Sequence, residues 1–454
     1  MMRWVLLPMM FWLGSAAAAD DLLTVYEQAR AQATDPAIAE SAVGAADARF
    51  RQARGALLPR ISGSASRGKQ KQEQRFEGAP EGGLGFGSGD DGDDDFEDQQ
   101  SLSVSLEQPL FDWGAWQSRA AADERRQAAR ADLGAAEQAL ITTVTRRYFD
   151  ILAAEDALAA AERQLEVIGR QLDRAEAEFE AGIRAITDQQ EAASQRDAAR
   201  VDRLNARNSL MRSRAALAEL TGRMPESIQP LPVPEAPAEP EGSASQWVAR
   251  GLANSPEVRS ARLALAAAER DIRQARGGHY PQVNLVGRIG ETEQTVNFPI
   301  PGAGNTEFES ITETQSVAVE LSLPIFSGGS ASAAVAEAEY ERERVRQQWI
   351  ARRRTVELEV RTAYGDMQTA AARIKALNTA ISSAETAIEA ARAGQQTGTR
   401  NVLDVLEAEI EAVDRGVQRR EAVYDYYSAA FALRQAAGLL SRDDLIALNN
   451  QLKP

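Results

Sequence analysis

Asp404 and Glu407 stand three residues apart in the stretch TGTRNVLDVLEAE, residues 397–409. On a helix that spacing puts both carboxylates on one face. Like charges on one face repel, so such a pair just past a break in the helix asks for a reason. A plainer origin is also open, because acids in the first turns of a helix are stabilised by its dipole and by capping. Asp188 and Glu191 show the same spacing earlier in the chain, which suits the plainer origin.

Little else in the chain invites chemistry. There is no cysteine, which excludes disulfides, thiolate metal sites, cysteine nucleophiles and a lipid-modified N-terminal Cys. His279 is the one histidine, too few for a metal site or a catalytic base with partners, and it reads as structural. The loop EGGLGFGSGDDGDDDFEDQQ, residues 81–100, resembles one loose Gly-Asp calcium repeat. A single copy cannot stack on a neighbour, so a solvated loop is expected there. No nucleophile–base pair or phosphate loop is visible, so neither an enzyme nor a cofactor is expected. The net charge of −16 argues against nucleic acid as a partner. Much of it is local, since residues 73–98 hold ten acids and one base.

The elements that would position Asp404 and Glu407 follow from the rest of the chain. Residues 1–19 have an early Arg, an apolar stretch and a small-residue end, the pattern of a secretory signal peptide. Beyond them no apolar run approaches the roughly 18–20 residues of a spanning helix.

The sequence is written twice. QSLSVSLEQPLF at 100–111 returns as QSVAVELSLPIF at 315–326, and Gln52-Ala53-Arg54-Gly55 returns as Gln274-Ala275-Arg276-Gly277. Further on the offset is constant at 216, pairing Tyr148 with Tyr364, Gly182 with Gly398, Asp188 with Asp404, and Gly222 with Gly438. Repeat 1 covers 20–223 and repeat 2 covers 246–454; between them, 224–245 is a proline-rich linker.

Each repeat opens with a short amphipathic helix, near 21–54 and 244–276. A strand–loop–strand unit follows, at 59–108 and 281–323. Leu102, Val104 and Leu106 alternate with Ser101, Ser103 and Ser105, and Val317, Val319, Leu321 and Leu323 repeat the pattern. Strands of about 9–11 residues cross a bilayer when tilted, and lipid on one face with water on the other gives this alternation. A half-buried soluble strand gives it too. Phe111, Trp113 and Trp116 follow the first such strand, where aromatics suit either a membrane interface or a small core cluster.

Helical hairpins come next, at 112–221 with a tip near 182–187 and at 327–438 with a tip near 396–400. A heptad seam runs through Ile151, Ala154, Leu158, Ala161, Leu165, Ile168 and Leu172, and adding 216 finds it again from Met367. From Phe111 to Gly182 a helix would be roughly 105 Å long, the length of a rod or tube wall. Four strands cannot close a barrel in lipid, whereas eight close a small one and twelve leave a pore. Transmembrane strands here therefore require an oligomer.

These residues resemble the TolC family of outer-membrane export channels of Gram-negative bacteria. The likeness rests on LLTVYEQAR (22–30), IRQARGGHYP (272–281), SLPIFSGG (322–329), GIRAITD (182–188), TGTRNVLDVLEA (397–408) and DLIALNNQLKP (444–454), and covers nearly the whole chain after the leader. It implies an α+β membrane protein: a homotrimer whose twelve-stranded β-barrel, four strands per chain, continues into a periplasmic barrel of coiled-coil helical hairpins. It implies an exit duct for drugs or secreted proteins, working with a periplasmic adaptor and an inner-membrane ABC or RND transporter. Asp404 and Glu407 match the pore constriction and would form two stacked acidic rings. Arg400 matches a latch whose partners are Thr187 and Asp188. The family's second latch position, a tyrosine, falls on Gln395. Gly182, Ile183, Gly398 and Thr399 match the tips that dock the adaptor. The competing reading is a periplasmic hairpin scaffold without a pore, its strands soluble.

Overall fold

The computed structural model describes residues 19–70, 97–183, 185–231, 237–300, 304–397, 399–400 and 402–452. Nearly all of the expected leader, most of the acidic loop and Gly398 lie outside the described residues.

Repeat 1 runs α1 (Leu22–Gln32), α2 (Thr34–Gly55), β1 (Arg60–Gln70), β2 (Glu97–Phe111), α3 (Trp113–Glu180) and α4 (Ile186–Thr221). Repeat 2 runs α5 (Ala244–Asn254), α6 (Pro256–Arg276), a 3₁₀ turn (Gly277–His279), β3 (Gln282–Ile300), β4 (Gly304–Ser322), α7 (Ser330–Gln396), α8 (Val402–Ala436) and α9 (Arg442–Leu452). Each opening helix proves to be two. Pro256 starts α6, a place where its missing N–H is not needed, and it drives Ser255 out of the helical region. In repeat 1 the break falls at Ala33, whose backbone is extended.

Two compact units are present. One comprises Gly44–Gln127 and Leu263–Gln347 and holds all four strands, in the antiparallel order β1-β2-β3-β4. The strands after β1 are longer than the span length expected, at 15, 19 and 19 residues. The register places Ile61, Leu102, Val104, Ile289, Val317, Val319 and Leu321 on one face. That face is uncovered, with Ile61 at 70%, Val317 at 80% and Leu321 at 68% exposure. The opposite face carries hydroxyls. Ser62, Ser64 and Ser66 pair with Ser105, Ser103 and Ser101, each at 2.8 Å. Among the described residues, the outer edges of β1 and β4 have no neighbouring strand.

The other unit comprises residues up to Val43, Ala128–Arg262, and Gln348 onward. Its core buries Leu22, Val25, Tyr148, Ile151, Val356, Val360, Leu433 and Leu445. The two heptad seams contribute Ile151 and Ala154 from α3 and Met367, Ala370, Ile374 and Leu377 from α7, while farther along α3 Leu172 packs with Ala175 and Ala192 in a small separate cluster. The duplication is visible in the caps. Gly222 and Gly438 end α4 and α8 with φ of +70° and +67°, and Leu217 and Leu433 lie buried one turn before them.

Candidate functional site

The first tip is built by a helix stop. Gly182 has φ +71°, its N–H donates to the Phe179 carbonyl at 2.8 Å, and the Ile183 N–H donates to the Glu178 carbonyl at 2.9 Å. This pair of bonds is the Schellman termination, which needs the left-handed conformation that glycine adopts without strain. Gly182 and Ile183 stand exposed, and Ile183 keeps 74% of its surface. The chain restarts at Ile186 without a side-chain cap. Asp188 falls in the first turn of α4, where the Thr187 hydroxyl donates to its Oδ1 at 3.4 Å.

The second tip repeats the stop with different detail. The Gly394 carbonyl accepts from the N–H groups of Thr399 at 2.9 Å and Arg400 at 3.1 Å. It also accepts from the hydroxyls of Thr397 at 3.0 Å and Thr399 at 3.1 Å. Helix α8 then begins at Val402 with Asp404 in its first turn. Asp404 is half-buried, Val405 buried and Glu407 exposed. The positions of Asp188 and Asp404 in first turns fit stabilisation by the helix dipole; Glu407 lies beyond the first turn of α8.

Both tips border one cleft of about 820 Å³. Arg174, Glu178, Asp188 and Glu191 line it from the first hairpin, and Gln395, Arg400 and Glu409 from the second. The structure thus brings Arg400 and Asp188 onto the walls of a common cavity, with Gln395 beside them. Asp404 and Glu407 are not among the residues that line it. An ion pair from Arg392 to Glu409 at 2.8 Å ties α7 to α8 behind the second tip.

The aromatic trio forms contacts of its own. Phe111 and Trp116 meet edge-to-face at 5.2 Å, Trp113 meets Tyr280 at 6.0 Å, and the Trp113 indole donates to the Arg273 carbonyl at 3.1 Å. Trp116 is 42% exposed, so the trio is at once a packed cluster and an open surface. His279 is exposed at the end of its turn. Among the described residues, no group of three or more acids and histidines could hold a metal ion, and no helix is long and apolar enough to cross a membrane.

Sequence reasoning missed Gly394 and the Arg392–Glu409 tie. A signal for the first was present: glycine is disfavoured inside helices, and the matching position in repeat 1 is Glu178.

The model of the outer membrane efflux protein family matches residues 25–223 and 247–439, one stretch in each repeat. The chain belongs to the outer membrane efflux protein family. This efflux protein is 29% identical to the outer membrane protein TolC of Vibrio cholerae over 97% of its own length and 96% of the relative's. It is 29% identical to the alkaline protease secretion protein AprF of Pseudomonas aeruginosa, over 86% of this chain and 79% of that one. Among solved structures, the CmeC outer membrane channel of Campylobacter jejuni superposes with a TM-score of 0.75, covering 95% of the efflux protein and 89% of CmeC at 18% identity. That likeness establishes the fold. The efflux protein is an outer-membrane protein of export, and the periplasmic-scaffold reading finds no support among these relatives.

Proposed function

We propose that three copies of the chain close their sheets into a twelve-stranded barrel, forming the exit duct of an export machine gated at the hairpin tips. The observation that carries this reading is the sheet. Its apolar face is exposed, its other face is lined by paired hydroxyls, and both edges are open. Lipid suits the first face, water the second, and a neighbouring chain the edges. Twelve strands leave a pore, whereas eight would fill with side chains.

In this reading Arg400 latches the second hairpin to Asp188 and Thr187 of the first. Asp404 and Glu407 from three chains narrow the lumen with negative charge and favour cations. The exposed tips at Gly182–Ile183 and Gly398–Thr399 receive a periplasmic adaptor, which couples the duct to an inner-membrane ABC or RND transporter. The cargo is drugs or secreted proteins, a range supported by relatives named for efflux and for protease secretion. Phe111, Trp113 and Trp116 mark the water boundary of the barrel. The duct moves cargo without chemistry of its own.

Single-channel conductance in planar bilayers tests the gate. Wild type is expected to give small cation-selective openings, and Arg400→Ala combined with Asp404→Ala larger openings with weaker selectivity. Unchanged openings in the variant would move the gate elsewhere. A folded sample that forms neither channels nor trimers would overturn the duct itself.

A further inference from the structure

We propose that Gly394 is a positioning residue for Arg400: the missing side chain at 394 is the space in which the Arg400 stem lies, so Gly394 sets how firmly the closed tip is held. This deepens the latch reading above and rests on it. A Cβ built on Gly394 would meet the Cγ of Arg400 at 3.0 Å and its Cβ and Cδ at 3.2 Å each. Such contacts are tighter than side chains ordinarily make, so a methyl group there must shift the stem by a few tenths of an ångström. The backbone leaves little slack for that shift, because the N–H of Arg400 is tied to the carbonyl of the same Gly394 at 3.1 Å. The displacement therefore passes outward along the side chain, toward the guanidinium and the cleft that Asp188 lines.

Two comparisons within the molecule support a specific role. Gly169, Gly365 and Gly416 also sit inside the long helices, and a Cβ on any of them would meet nothing within 4 Å. Their lack of a side chain makes room for no neighbour. The matching position in repeat 1 is Glu178, which keeps the same backbone bond, from Ile183 N–H at 2.9 Å. There the side chain is present and accepts from Arg174 at 2.8 Å. The two repeats share this backbone bond of the helix stop, and among their side-chain differences is the one at this position. Only repeat 2 leaves the space, and Arg400 uses it.

The test is single-channel recording on the trimer with Gly394→Ala, Arg400→Ala and both together. If Gly394 acts through Arg400, Gly394→Ala raises the open fraction toward that of Arg400→Ala, by about tenfold if one hydrogen bond to a charged group is lost. The double variant then equals Arg400→Ala alone, and the Gly394→Ala trimer still folds with thermal stability near wild type, the helix preference of alanine offsetting the crowding. A merely structural glycine would not give that equality. Gly394→Ala behaving as wild type while Arg400→Ala opens the channel would overturn the inference and leave the latch standing. A double variant more open than Arg400→Ala would also overturn it, since Gly394 would then act on the helix end itself. Arg400→Ala indistinguishable from wild type would remove the latch and this inference together.

Discussion

Tyr148 and Tyr364, 216 positions apart in the two repeats, grip the two ends of the same connecting segment. The Tyr148 hydroxyl donates to the carbonyl of Gln229 at 2.6 Å, and the Tyr364 hydroxyl donates to that of Gly242 at 3.0 Å. Tyr426 adds a bond to the Ala238 carbonyl at 2.7 Å, and the Trp247 indole one to the Glu241 carbonyl at 3.0 Å. A proline-rich segment lacks many donors of its own, so its carbonyls are held by aromatic side chains from the helices.

Removing one hydroxyl from this grip should cost differently on the two sides. Tyr148 is fully buried, so Tyr148→Phe leaves a carbonyl without its partner and should lower stability by about 1–2 kcal/mol. Tyr364 is half-buried, water can replace its hydroxyl, and Tyr364→Phe should cost less. Thermal unfolding of the two variants gives the comparison; equal, negligible shifts would mean that the bonds hold nothing.

Alkali should loosen the helical unit. Burial pushes the Tyr148 and Tyr424 hydroxyls well above the ordinary tyrosine value of 10.0, and the Asp156 carboxylate bonded to Tyr424 adds to the shift. The folded chain then holds these protons more tightly than the unfolded chain. The stability they contribute is whole below about pH 10 and drains away as the pH rises past it. A denaturant titration at pH 8, 10 and 11 should show that fall, and Tyr424→Phe should flatten it.

The two faces of the sheet should respond oppositely to charge. Val317 lies on the apolar face, and an arginine there should cost about 2–4 kcal/mol per chain if it meets the bilayer midplane. Thr314 faces the hydroxyl side opposite Gly290, where a lysine meets water. Val317→Arg should therefore reduce membrane-assembled protein and Thr314→Lys should not. Equal yields from a membrane fraction would contradict the assignment of the faces.

Glycines with the same backbone sign should rank by what surrounds them. Gly182 needs a left-handed backbone but has open space around it, so Gly182→Ala should cost about 1–2 kcal/mol from conformation alone. A Cβ on Gly438 would lie 2.5 Å from the Asn254 backbone, which cannot step aside. Gly438→Ala should fail to yield folded protein, and a folded Gly438→Ala variant would refute that ranking.

The sequence carried the duplication, the seams and the alternation of the first strand halves, because each is a periodic constraint imposed by burial or by lipid. It did not show the outer parts of β3 and β4. There the residues run Gly290, Glu291, Thr292, Glu293 against Thr312, Glu313 and Thr314, and no face need be apolar, so the pattern reads as a loop. The helix breaks at Ala33 and Ser255 were missed as well. The signal was present but not read as a break: Pro36 and Pro256 fit a helix's first turn and not its interior, so each marks a fresh start. At the tips, residue types were legible while side-chain placement was not. Gln395 in place of a tyrosine stood out at once, yet the space that Gly394 leaves for Arg400 appears only when the two are seen together.

The open edges of β1 and β4 carry a consequence for the life of a single chain. Until partners arrive, each copy displays two rows of unsatisfied backbone groups beside an uncovered apolar face, which is the geometry of unwanted sheet extension. The isolated copy is thus the hazardous species. Its safety depends on how briefly it exists, so association and insertion into lipid must outrun its encounters with strangers.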